Sequence, residues 1–198
     1  MTRPSTPLSN PLAKLLMTLL LLVGSVAVAD AFDWLSYLTG QRSLAKIEAD
    51  ISRRFTDIGH MPPKGLAERL ANPQNIVLLD VREPTEFAVS HLPGAVRVTP
   101  GADVAEILKT LEGRIAGKTV VFYCSVGERS SRLAHRVRAE LMKRGAVAVD
   151  NLKGGIFAWH NQQRPLVSGQ GQPTPYVHPF DSSWGKLVDR QSLTRMKP

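Results

Sequence analysis

Thr119-Val120-Val121-Phe122-Tyr123-Cys124-Ser125-Val126-Gly127-Glu128-Arg129-Ser130-Ser131 reads as a buried strand, a tight loop and the opening of a helix. Residues 119–123 are an unbroken run of β-branched and aromatic side chains, the composition of a strand covered on both faces. Gly127 lies in the loop, and Ser130 or Ser131 is the expected helix opening. Apolar residues then recur three or four apart through Arg132-Leu133-Ala134-His135-Arg136-Val137, and Gly145 follows as a stop signal. A strand, loop and helix in this order aim successive backbone N–H groups at one point, the position of the Cys124 sulfur. The result is a cradle for an anion, in which the positive helix end and Arg129 favour the nucleophilic thiolate form.

Outward from this stretch the same alternation recurs. Residues 76–81, 95–98 and 146–149 are further short β-rich runs, and residues 66–70, 85–90, 104–111, 130–144 and 156–162 carry helical spacing. Four buried strands separated by helices imply an α/β fold with a mainly parallel sheet and helices on both faces. In such sheets ligands bind at the carboxyl ends of the strands, where Cys124 stands.

Composition narrows the chemistry. A chain of 198 residues, 43% of them hydrophobic, suffices for one domain with extensions and excludes a large multidomain enzyme. The net charge of +8 predicts attraction to anions without singling out nucleic acid. Cys124 is the one cysteine, so neither an intramolecular disulfide nor a Cys-rich metal site is expected. His60, His135, His160 and His178 lack the spacing of metal ligands, and no metal is expected.

Both ends of the chain carry extensions. Arg3 and Lys14 precede an uncharged run, residues 15–29, that closes on Ala27-Val28-Ala29. This reads as a secretory leader cleaved after Ala29, with an uncleaved membrane anchor as the alternative. Cleavage leads to a periplasmic or secreted protein, and an uncleaved leader to a membrane-anchored one with its domain outside the cytoplasm. Residues 30–58 form an extension in which Ser43 opens an amphipathic helix with Leu44, Ile47, Ile51 and Phe55 at helical spacing. That stripe is expected to pack on its own domain in preference to a membrane surface. Residues 168–175 are a Gly/Pro-rich linker, and Tyr176-Val177-His178-Pro179-Phe180 and Trp184-Gly185-Lys186-Leu187-Val188 form an aromatic tail. The tail is expected to strap back over the domain, with residues 189–198 frayed and basic.

Five landmarks in order resemble the rhodanese, or thiosulfate sulfurtransferase, family in its single-domain members. They are Leu79-Asp80-Val81-Arg82-Glu83; Glu86-Phe87 leading to His91-Leu92-Pro93-Gly94-Ala95; Val120-Val121-Phe122-Tyr123-Cys124; the loop with Gly127, Arg129 and Ser130; and Leu152-Lys153-Gly154-Gly155 running to Ala158-Trp159. The resemblance covers residues 59–167 and implies a small rhodanese-like α/β domain with a five-stranded parallel sheet. It implies that Cys124 carries the transferred sulfur as a persulfide, with Ser125, Val126, Gly127, Glu128, Arg129 and Ser130 as the substrate-binding loop. Leu92 and Ile156 depart from the commoner family residues but lie outside the chemistry. Asp80, Arg82 and Glu86 are supporting candidates, Asp80 as an acceptor of loop N–H groups and Arg82 with Glu86 as an ion pair at the pocket rim.

The implied partners are a small anionic sulfur donor and a thiophilic acceptor, with no cofactor and no nucleic acid. An envelope protein docking on the C-terminal tail of a non-catalytic module is the competing expectation. Membrane contact is expected only through an uncleaved leader or the N-terminal helix, and the domain is expected to be a monomer. Phosphate ester hydrolysis is the related chemistry to exclude, because the Cys and Arg loop also resembles that of dual-specificity cell-cycle phosphatases. Those have five residues between Cys and Arg; here Ser125 to Glu128 make four. Glu128 would further add negative charge at the rim.

Overall fold

The computed structural model describes residues 43–198; the expected leader at residues 1–29 and the aromatic stretch Phe32-Asp33-Trp34-Leu35-Ser36-Tyr37-Leu38 lie outside them. Strands β1 (Gly59–Met61), β2 (Ile76–Asp80), β3 (Val96–Arg97), β4 (Thr119–Tyr123) and β5 (Ala148–Leu152) form one sheet in the order β1-β5-β4-β2-β3. Every pairing is parallel. This is the five-stranded sheet that the resemblance implies. Three of the four strands read from the residues are found within a residue or two, whereas β5 lies two to three residues downstream of the apolar run at 146–149.

The period of two in β4 builds both cores at once. Val120, Phe122 and Cys124 point into one cluster with Val77, Leu79, Val149, the helix residues Ile107, Leu133, Val137 and Leu141, and the helix-capping Leu111. Val121 and Tyr123 point into the other with Leu78, Leu152, Leu66, Ile156, Phe157 and Trp159. The sheet is thereby buried on both faces, as its unbroken apolar strands require.

Among the described residues seven helices surround it: α1 (Leu44–Arg54), α2 (Pro63–Leu70), α3 (Pro84–Val89), α4 (Val104–Thr110), α5 (Glu128–Lys143), α6 (Gly155–Asn161) and α7 (Ser182–Gly185). Helix α1 opens at Ser43, whose hydroxyl accepts from the Lys46 N–H at 3.2 Å. Its Ile51 is buried, and Leu44 and Ile47 pack against the second cluster. The amphipathic stripe thus packs on its own domain.

Helix α5 begins two residues earlier than Ser130. Its N-cap is Gly127 with φ 104°, which places Glu128 in the first turn, where a carboxylate complements the helix dipole. A serine-cap signal therefore misplaced the helix start.

The C-terminal segment does strap back. Val177, Leu187 and Val188 are buried in the second cluster, and Gly169 N–H donates to the Ala88 carbonyl at 2.9 Å. The fraying expected for residues 189–198 is overturned over part of that span. Arg190 Nη2 donates to the His160 carbonyl, residues Gln191–Leu193 form a short 3₁₀ turn, and Thr194 bridges Val177.

Candidate active site

Cys124 follows the last residue of the central strand β4, and its side chain is only 1% exposed. Gly127 N–H points at Sγ from 3.2 Å, which makes the sulfur an acceptor within its own loop. The left-handed φ of Gly127 turns that N–H inward. A Cβ there would also sit 2.9 Å from the Asn151 amide, so both conformation and space call for glycine.

The start of the loop is pinned from below by helix α6. Ile156 and Phe157 N–H groups donate to the carbonyls of Cys124 and Ser125 at 2.9 and 3.0 Å. This approach is possible because Gly155 has no side chain: a Cβ would lie 2.6 Å from the Ser125 carbonyl oxygen and closer still to that of Cys124. Of the pair Gly154-Gly155, Gly155 thus acts directly on the cysteine loop, whereas Gly154 abuts Glu48 and Ala158.

Arg129 lies on the first turn of α5 beside the sulfur. Its Nη1 and Nη2 donate to the two carboxylate oxygens of Glu86, each at 2.9 Å, and Nη2 also donates to Ser125 Oγ at 3.1 Å. Glu86 further accepts from Ser125 Oγ and from the Glu83 N–H, both at 3.0 Å. Burial pushes the Glu86 carboxyl up, but the bonds and charge of Arg129, the Glu83 N–H and the charge of Arg82 outweigh it and hold it below the usual carboxylate range. Burial weakens the Arg129 cation; the bonds to Glu86 and the proximity of Cys124 reverse that and keep it firmly protonated. A fixed cation with part of its surface open therefore stands at the thiol.

The supporting residues pair differently from expectation. Arg82 does not pair with Glu86; its Nε and Nη2 grip Asp80 at 2.9 and 2.7 Å, with both side chains fully buried. Asp80 is therefore taken by a guanidinium, with its carboxylate turned to Arg82. Arg82 also donates to the Ser90 carbonyl at 2.6 Å, and Tyr123 Oη accepts from the Leu92 N–H at 3.1 Å. The pair is an architectural clamp between β2 and the end of α3. Glu86, and not Arg82, is the residue of this group that reaches the cysteine loop.

Two loop candidates have their side chains engaged by other elements. Ser130 Oγ is buried and donates to Asn151 Oδ1 at 2.7 Å, tying α5 to β5. Glu128 is held by Arg54 of α1 and by Arg132, whose Nε lies at 2.7 Å. These cations neutralise it, so it adds no free negative charge at the rim. The case against phosphate rests on loop length alone.

Sequence reasoning missed Asn151, Arg54, Ile51 and Phe180. The last of these lies with its ring 4.9 Å from the Arg129 guanidinium carbon. All four reach the loop across long sequence separations, and their local sequence carries no sign of it.

The family model for the rhodanese-like domain matches residues 63–162, half of the chain. The chain belongs to the rhodanese-like domain family. Among curated relatives, a sulfurtransferase of Allochromatium vinosum is 31% identical over 114 residues, which cover 58% of this chain and 99% of that protein. A tRNA uridine(34) hydroxylase of Bacillus velezensis is 28% identical over 127 residues, spanning 63% of this chain but only 37% of the hydroxylase. Thiosulfate sulfurtransferase from Pseudomonas aeruginosa shares the fold, with a TM-score of 0.50 at 17% identity over 74% of this chain and 26% of that one. This rhodanese-like domain is of the sulfurtransferase type.

Proposed function

We propose that the protein transfers a sulfane sulfur from thiosulfate or a persulfide to a thiophilic acceptor through a persulfide on Cys124, and that it does so outside the cytoplasm. The observation that carries the chemistry is the sulfur of Cys124 held by the Gly127 N–H beside an Arg129 cation that Glu86 fixes in place. The Cys124 thiolate attacks the outer sulfur of thiosulfate. A new S–S bond forms, the S–S bond of thiosulfate breaks, and sulfite leaves with the electron pair. Charge is conserved, since one thiolate and one dianion become one persulfide anion and one sulfite dianion. An acceptor such as cyanide then attacks the outer persulfide sulfur and departs as thiocyanate, which returns the thiolate. Arg129 and the loop N–H stabilise negative charge at each stage. Export is supported by residues 1–29, with the small residues Ala27-Val28-Ala29 ending the apolar run.

The test is intact mass. Wild type incubated with thiosulfate, or with a persulfide donor, gains one sulfur atom, and cyanide removes it as thiocyanate. Cys124→Ser gains none. Arg129→Ala slows loading by about tenfold to a thousandfold, or roughly 1.4 to 4 kcal/mol of charge stabilisation. A folded wild-type protein that takes sulfur from neither donor overturns the enzyme reading and leaves a docking module. Export is tested separately by the mass of the protein recovered outside the cytoplasm, which should begin at Asp30; cytoplasmic retention overturns it.

A further inference from the structure

The chain beyond the family match returns to the cysteine loop. Along residues 176–188 the side chains that face the domain are buried, among them Val177, His178, Leu187 and Val188. Phe180 differs from these at 41% exposed, so its ring does not serve as core packing. It is also one of two non-glycine residues with positive φ among the described residues, at 68°, a backbone region that disfavours a bulky side chain. The surroundings impose that conformation. The Phe180 N–H donates to His178 Nδ1 at 3.0 Å, and the Asp181 carboxylate caps α7 by accepting from the Ser183 and Trp184 N–H groups at 2.8 and 2.9 Å. Pro179 is seated against Gly185, where a Cβ would be 2.9 Å away. The outcome of this arrangement is an aromatic face on the guanidinium that flanks a cysteine only 1% exposed.

We propose that Phe180 is a specificity-determining residue: its ring closes the Arg129 side of the entrance and limits access to Cys124 to slim reagents. The acceptors are then small thiophiles, such as cyanide and low-molecular-weight thiols, and not cysteines of folded partner proteins. The choice of acceptor rests on the sulfur-transfer reading; the restriction of access rests on geometry alone.

Two experiments separate these. Cys124 is the single cysteine, so alkylation of the whole chain reports on one site. Rates are measured with iodoacetamide and with a polyethylene-glycol maleimide in wild type, Phe180→Gly and Phe180→Tyr. Glycine adopts the positive φ freely, which keeps the strap in place, and Phe180→Asn is a second variant that tolerates the same region. Circular dichroism and melting verify both. The ratio of bulky to small reagent rates should rise by about tenfold or more in Phe180→Gly and Phe180→Asn, and return to the wild-type ratio in Phe180→Tyr. With persulfide-loaded protein, the ratio of kcat/KM for glutathione to that for cyanide should rise in the same variants. Unchanged ratios in folded variants overturn the proposal. If no persulfide forms, the sulfur-transfer reading fails while the alkylation ratio still judges Phe180.

Discussion

Glu86→Ala is the perturbation that reaches furthest into the site, because one carboxylate organises both the loop serine and the loop arginine. The substitution removes two bonds from Arg129 at 2.9 Å, one from Ser125 Oγ at 3.0 Å and one from the Glu83 N–H at 3.0 Å. Breaking a buried ion pair by deleting one partner costs about 3–5 kcal/mol, mostly through the charge left behind. Arg129 is 24% exposed, so water recovers part of that loss. The expected cost is about 2–4 kcal/mol, or a fall in Tm of about 5–15 °C for a domain of this size. Glu86→Gln keeps the shape and drops the charge, and should cost about half as much. The pH dependence has a definite sign. The Glu86 carboxyl is held below its ordinary value in the fold, so its contribution is complete above the unfolded value of about 4.3 and is lost as pH falls through the folded one. The stability gap between wild type and Glu86→Gln should therefore be constant from neutral pH to about pH 5 and shrink below about 4.3. Thermal melts across this range measure it, and sulfur loading should slow towards the rate of Arg129→Ala. A melt of Glu86→Ala within about 0.5 kcal/mol of wild type, or a gap that widens in acid, would refute the assignment of Glu86 as the anchor of Arg129.

Gly155→Ala combines a φ of +56° with a clash against the carbonyls of the loop, and should cost at least about 2 kcal/mol in urea unfolding. Gly94→Ala, at φ +77° with open space around it, should cost only about 1 kcal/mol; equal costs at the two sites would rule out the close approach as the cause. Deletion of residues 173–198 removes buried Val177, Leu187 and Val188, each contributing about 1.5–3 kcal/mol, and should lower Tm by about 10 °C or more. An unchanged Tm would contradict the strap. Burial lowers the pKa of His91, His160 and His178, so each gains its proton more readily when unfolded than in the fold. Stability is then full above about pH 6.5 and declines as pH falls below it; a Tm flat between pH 7 and 5.5 would count against this.

What could be read from the residues was what depends on neighbours along the chain. The period of two in residues 119–124 sends Cys124 to one side and Tyr123 to the other, and no distant contact is needed to see it. Strand β1 escaped because three residues, Gly59-His60-Met61, pair on one side only and carry no apolar run. The ion pairs escaped for a different reason. Asp80, Arg82, Glu86 and Arg129 allow more than one matching of charges, and the choice depends on where β2 ends relative to α3 and α5, which is a tertiary quantity. The start of α5 was hidden by the serines at 130 and 131, whose hydroxyls are buried in the interior and do not cap the helix.

The same distinction bears on function. The family match supplies the cysteine, its loop and the clamp beneath it, all between residues 63 and 162. The flanking segments supply what surrounds them. On one side α1 sets Ile51 against Gly127, Glu48 against Gly154 and Arg54 on Glu128. On the other, the strap sets Phe180 on Arg129. Both touch the loop that holds the sulfur, and neither contributes a nucleophile. Under the proposed function, bond formation at Cys124 depends on the loop alone. Properties that depend on access to the loop and on its rigidity should belong to this chain. Grafting residues 63–162 without their flanks would separate the two only if strand β1 and both cores were first repaired, since that span leaves out Gly59–Met61, Ile58 of the first core, and Val177, Leu187 and Val188 of the second.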